Sequence, residues 1–172
     1  MRPMANIFLG RYAADIQGSF VVFLIGMRIN RLWRVPDWWS VAVAMAPMLR
    51  ELYKHPEKGF LGAELFFSFS NRAPMIVQYW KTFDDLDRFA RNQDDPHLPA
   101  WRDFNRKAAR TGSVGIWHET YLVAAGRYEA VYGNMPRFGL AKAAGHVTAT
   151  SRGETARTRL GGESKPAVEI TY

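Results

Sequence analysis

Residues 19 to 30, SFVVFLIGMRIN, are apolar on both alternating sets: Val21, Phe23, Ile25, Met27 and Ile29 on one, Phe20, Val22 and Leu24 on the other. The pattern gives out at Arg28 and Asn30. Successive side chains of a strand point to opposite faces, so this run predicts a strand buried on both sides. The next stretch, VPDWWSVAVAMAPMLRELYKHPEKG, opens with Pro36 and Asp37 and closes with Lys54, Pro56 and Gly59. Those are helix start and stop signals, with Pro47 as the place for a kink. Two apolar runs follow, LGAELFFSFS (61–70) and MIVQYW (75–80); the NRAP between them suits a turn, so the pair predicts a hairpin. KTFDDLDRFARN supplies Thr82 as a cap and sets Phe83, Leu86, Phe89 and Ala90 on one helical stripe. DDPHLPAWRDFNRKAARTG breaks at two prolines and predicts a short helix from Pro99 to Arg110. Then VGIWHETYLVAAGRYEAVYGNMP (114–136) alternates as a strand, turns at Gly126 and resumes in a short strand, YEAVY.

The order β, α, β, β, α, α, β, with a short terminal strand, predicts an α+β fold of the ferredoxin-like βαββαβ kind, in which helices cover one face of a four-stranded antiparallel sheet. Both sets of the first strand are apolar, so the other sheet face needs a cover as well, and a second copy packing sheet on sheet is the simplest one. A homodimer is therefore expected. The domain is expected over residues 10–145, followed by a polar C-terminal tail, 146–172, in which AVEITY has the composition of an edge strand.

Composition sharpens this picture. The 172 residues are 48% hydrophobic and 14% aromatic, enough for one well-filled core. The net charge of +7 is spread out: 17 basic against 13 acidic residues up to position 136, and 6 against 3 beyond it. No basic cluster interleaves with stacking aromatics, so no nucleic-acid partner is expected. Cysteine is absent, which excludes disulfides, thiolate ligands and a Cys nucleophile. The first residues lack the apolar core of about 7 to 15 residues of a secretory signal. No run reaches the ~18 apolar residues of a membrane span. The cytoplasm is the expected compartment. There is no glycine-rich phosphate loop after a strand, no Ser-centred nucleophile elbow and no histidine pair at metal spacing on a helix.

The candidate chemistry gathers in the last third. His97, in the Pro-flanked segment DDPHLPAW, fits a general base or an axial haem ligand as well as a surface histidine, with Trp101 close behind it. In the strand from Val114, alternation sets Trp117, Glu119 and Tyr121 on one face and Ile116, His118, Thr120 and Leu122 on the other. Which face meets the helices is open at this level. Glu119 fits an interfacial ion pair or catalysis, and His118 a core histidine or a base. Arg28 and Asn30 either mark the first strand's emergence into water or line a pocket mouth. Trp80, Trp101 and Trp117 fit core rings and equally the walls of a pocket for a flat apolar ligand.

The blocks FLIGMRIN, VQYWKTFDDLDRFAR, PHLPAW and GIWHETYLVAAGRYEAVYGNMPRFGLAKA together resemble the monooxygenase family related to the fumagillin-pathway polyketide monooxygenase, within the dimeric α/β-barrel group of antibiotic-biosynthesis monooxygenases. The resemblance spans roughly residues 10 to 160. It implies a βαββαβ subunit pairing its sheet with a partner's, and an apolar pocket between sheet and helices. Relatives in that group oxygenate electron-rich substrates without a cofactor, bind and degrade haem, or dehydrate aldoximes on haem. The expected activity is oxidation of an apolar aromatic or polyene metabolite without flavin or a nucleotide cofactor. His97, His118, Glu119 and Arg28 are then the catalytic candidates, and Asn30, Trp80, Trp101, Trp117 and Tyr121 the substrate-binding ones. The alternatives are a haem enzyme with His97 as axial ligand, and a carrier that only holds an apolar molecule.

Overall fold

The structure, a computed structural model, describes residues 6–92 and 111–163. In chain order the elements are β1 (Phe8–Ala14), β2 (Phe20–Ile29), α1 (Val35–Lys54), β3 (Phe60–Ser68), β4 (Ala73–Trp80), α2 (Phe83–Arg91), β5 (Val114–Val123), β6 (Val131–Met135), α3 (Leu140–Ala143), β7 (His146–Thr148), α4 (Ala149–Arg152) and α5 (Ala156–Arg159). They form two units. One is Phe20–Leu122; the other joins the described parts of the segments up to Ser19 and from Val123 onward.

The first unit carries a four-stranded sheet in the order β3-β4-β2-β5, the ferredoxin-like order. β4 runs antiparallel to both neighbours, with Trp80 opposite Val21 on β2 and opposite Phe60 on β3. Between β2 and β5, Asn30 donates its backbone N–H to Ser113 at 3.0 Å while Trp117 lies against Gly26. Pairing that runs 30 with 113 and 26 with 117 is antiparallel as well. The two helices lie on one face, as the order of elements predicts. Met48 and Leu52 of α1, and Leu86 and Phe89 of α2, close on Val21, Phe60 and Trp80, while the N-terminal half of α1 sends Trp38, Val41 and Ala42 onto Met27, Ile29 and Val114. The odd positions of β2 therefore meet the helices. Its even positions, Val22 and Leu24, share the opposite face with Met75, Val77 and Tyr79 of β4, all half-buried.

Local chemistry explains where the elements begin. Pro36 occupies the first turn of α1, where its missing N–H costs nothing, and Pro47 lies inside the helix. Thr82 caps α2 by accepting the Asp85 N–H at 3.1 Å. Gly59, at φ +83°, turns the chain into β3, and a Cβ there would collide with the Asp85 carboxylate. The hairpin turn closes two residues earlier than NRAP suggests, on the Arg72 N–H bonded to Phe69 O at 3.2 Å. Pro74 then sits at the start of β4, where a strand tolerates it. The helix expected over Pro99–Arg110 lies outside the described residues.

The second unit holds a three-stranded sheet, β6-β1-β7, with β1 antiparallel to both neighbours. The strand expected in YEAVY starts later, at Val131, and pairs with β1. β1 itself has no legible alternation, because Leu9 is exposed and Gly10 and Arg11 interrupt the run. Residues 146–163, at the start of the polar tail, carry β7, α4 and α5. Tyr128 anchors this unit: its hydroxyl accepts the Ile16 N–H at 3.0 Å and Arg152 at 2.7 Å, and Arg152 also pairs with Asp15 at 3.0 Å. No described helix is long and apolar enough to cross a membrane.

Candidate functional site

β5 divides the candidate residues between the two sheet faces. Val114 and Ile116 pack with the helix-facing residues of β2 and α1, so the even positions of β5 point to the helices. His118 continues that row; it is exposed, and its ring lies tilted 5.7 Å from that of Phe23. The odd positions point the other way. Trp117 covers Gly26 so closely that a Cβ on residue 26 would lie 2.8 Å from the indole. Two residues on, Glu119 accepts a hydrogen bond of 2.5 Å from the Tyr121 hydroxyl, both side chains being exposed. That bond, and after it the repulsion between a phenolate and the carboxylate, holds the Tyr121 phenol above its ordinary value of 10.0. Arg28 sits on this same face, its Cβ 4.0 Å from where a side chain on Gly115 would begin. The fold thus sets Arg28, Trp117, Glu119 and Tyr121 on one sheet face, with only Glu119 and Tyr121 bonded to each other, and leaves His118 on the helix side.

The other predicted residues fall elsewhere. Asn30 directly follows β2, its Nδ2 donating to the Gly112 carbonyl at 3.1 Å, which ties the end of β2 to the approach to β5. Trp80 is fully buried in the core, edge-on to Phe60 and tilted on Phe89, and its indole N–H donates to Gln78 at 2.9 Å. His97 and Trp101 lie outside the described residues.

Sequence reading missed two features. Asp37, read only as a helix start, accepts a 2.6 Å hydrogen bond from the fully buried Ser113 hydroxyl and pairs with Arg34 at 3.0 Å. Ser113 Oγ in turn lies 2.6 Å from Thr111 Oγ1. The Ser113 bond first, then Arg34, holds the Asp37 carboxyl below its ordinary 3.8. Nothing local marks Ser113, since its partner is 76 residues away. In the second unit His146 stacks on Tyr12 at 4.6 Å with Phe8 edge-on at 4.5 Å, and its buried Nε2 has no hydrogen-bond partner among the described residues. An open depression on α2 is lined by the polar residues Asp84, Asp87, Arg88, Arg91 and Asn92. No metal-binding group of three His, Asp or Glu side chains occurs among the described residues.

Residues 20–140 match the model of a family described as Monooxygenase af470-like. The chain belongs to this family. The match takes in the whole four-stranded unit and both faces of β5. The curated Monooxygenase af470 of Aspergillus fumigatus is 26% identical over 149 residues, covering 76% of this chain and 53% of its own length, so the chain spans about half the length of the curated relative it matches. Among solved structures, an aldoxime dehydratase in complex with butyraldoxime superposes with a TM-score of 0.64 at 15% identity, over 81% of this chain and 43% of that one. SnoaB, a cofactor-independent oxygenase from Streptomyces nogalater, is 12% identical with a TM-score of 0.43, over 60% of this chain and 91% of that one. Family membership makes the chain a monooxygenase-like protein, and the aldoxime dehydratase shares its fold.

Proposed function

We propose that the protein is an oxidoreductase that oxidises an apolar aromatic or polyene metabolite on the helix-facing side of the sheet, without flavin or a nucleotide cofactor, and with His118 as the base. Membership in the monooxygenase family carries the reaction class. The position of His118, exposed on the helix-facing row beside Phe23 and Ile116, supports its role. An imidazole nitrogen within reach of an activated carbon is chemically suited to act as its general base. The carbanion formed passes its electrons to dioxygen and captures it as a hydroperoxide; loss of water from that adduct leaves a carbonyl. One dioxygen is consumed per substrate, one oxygen atom staying in the product and one leaving as water.

The opposite face suits a homodimer in this reading. A second copy covering Val22, Leu24 and Trp117 would take the Glu119–Tyr121 pair and Arg28 out of water, where charge and hydrogen bonding fix register. The work is assigned to the cytoplasm.

Oxygen uptake with anthrone-type and polyene substrates tests the assignment. His118→Ala is expected to lower turnover by about 10²- to 10⁴-fold with substrate binding retained. Wild-type binding without oxygen uptake would identify a carrier. Titration with hemin addresses the haem alternative through His97: a saturable Soret band lost in His97→Ala would replace the cofactor-free scheme.

A further inference from the structure

We propose that one end of the four-stranded sheet is a docking surface for an anionic lipid bilayer, formed where the loop after β2 meets the β3–β4 hairpin and exposed rings stand among arginines. The two loops are held side by side, because the Ile29 N–H donates to the Arg72 carbonyl at 3.2 Å. In the first loop the Trp38 indole N–H holds the Leu32 carbonyl at 3.0 Å, and the next residue, Trp33, remains 76% exposed. Leu32 and Val35 on either side are exposed too. In the hairpin Phe69 is 85% exposed and meets Phe67 edge-on at 5.0 Å, while Leu65, one step down the same face of β3, is 71% exposed. Rings and aliphatic side chains in this number belong to no core, and such a patch marks an interaction surface.

Charge selects the occupant. Residues 29–36 and 65–80 contain Arg31, Arg34 and Arg72 and no acidic residue. Of the flanking acids, Asp37 is engaged by Ser113 and Arg34, and Glu64 stands opposite Val77, on the other face of β3 from Leu65. Tryptophan and phenylalanine among arginines suit the headgroup region of a membrane, where rings enter the acyl boundary and guanidinium groups meet anionic lipid. A second copy docked on the same patch would set arginines against arginines. Single-stranded nucleic acid would use the arginines and rings but leaves Leu32, Val35 and Leu65 unexplained. The attachment proposed is peripheral, through the rings and arginines of these two loops. The docking does not rest on the oxidation proposed above, although an apolar substrate dissolved in the membrane would give both a common purpose.

Flotation of the full chain with phosphatidylserine–phosphatidylcholine vesicles, against phosphatidylcholine alone, tests the proposal. The expected result is binding to the anionic vesicles only, weakened by salt. Arg31→Gln and Arg72→Asn should each reduce it about fivefold; asparagine tolerates the positive φ at position 72. The double variant Trp33→Ser/Phe69→Ser should reduce it at least about tenfold, since it removes the rings that enter the bilayer. Both rings are exposed, so circular dichroism and the melting temperature should stay at the wild-type values. Equal flotation with neutral vesicles, no flotation, tighter capture of a single-stranded oligonucleotide, or a dimer that dissociates in the double variant would each overturn the proposal.

Discussion

At the scale of single residues, the Asp37–Ser113 pair shows how a side chain chosen for one local reason acquires another partner in the fold. Asp37 stands in the first turn of α1, where a negative charge is favoured, and the same carboxylate receives the buried Ser113 hydroxyl. Ser113→Ala is expected to cost about 1 to 3 kcal/mol in urea unfolding, because a buried hydrogen bond to a charged acceptor is lost. The pH dependence has a defined sign. The folded carboxyl is held below the unfolded value of 3.8, so its contribution is complete above that value and is lost as the pH falls through the lowered folded one. Asp37→Asn should therefore narrow the stability gap to wild type only on the acid side, below about pH 4, when unfolding is followed across pH. The residue types of the site were legible, since Trp117, His118, Glu119 and Tyr121 stand in one run. Their division was not: alternation separates two sets without saying which of them meets the helices.

At the scale of elements, α1, α2 and the β3–β4 hairpin follow from caps, prolines and turn residues within a few positions of each boundary. β1 does not follow, because a strand with Gly10 and Arg11 in its middle has no alternating apolar set to read. Its partners supply the pattern instead, β6 and β7 both lying more than a hundred residues away. Close packing between strands was equally hidden. Gly26 reads in sequence as a gap in an apolar run, whereas in the sheet it is the seat of the Trp117 indole. Gly26→Ala should destabilise the protein by about 1 to 3 kcal/mol through overpacking. The double variant Gly26→Ala/Trp117→Leu should recover part of that loss, measured as the midpoint in urea. A lack of coupling between the two positions would mean that the ring is not seated on residue 26.

At the scale of the whole molecule, the sequence leads to one domain and a polar tail, whereas the described residues form two units, one of them built from both ends of the chain. The join is made by polar side chains: the Tyr128 hydroxyl takes the Ile16 N–H and Arg152, and Arg152 takes Asp15. Tyr128→Phe should speed hydrogen exchange at the Ile16 amide and in β7 while leaving the β2 amides at their wild-type rates. Exchange that rises equally in both units would show that Tyr128 acts globally.

The amino-acid sequence by itself determined the helices of the four-stranded unit, its order of elements, the ferredoxin-like class and the family resemblance. Each of these rests on periodicity, caps and short motifs, which are properties of neighbouring residues. Only the tertiary structure decided that His118 faces the helices and Glu119 with Tyr121 the opposite side, that Ser113 closes on Asp37, and that β1 joins strands from the far end of the chain. Those outcomes depend on which distant segments pair and in what register, and a strand's own alternation is unchanged when its two faces are exchanged.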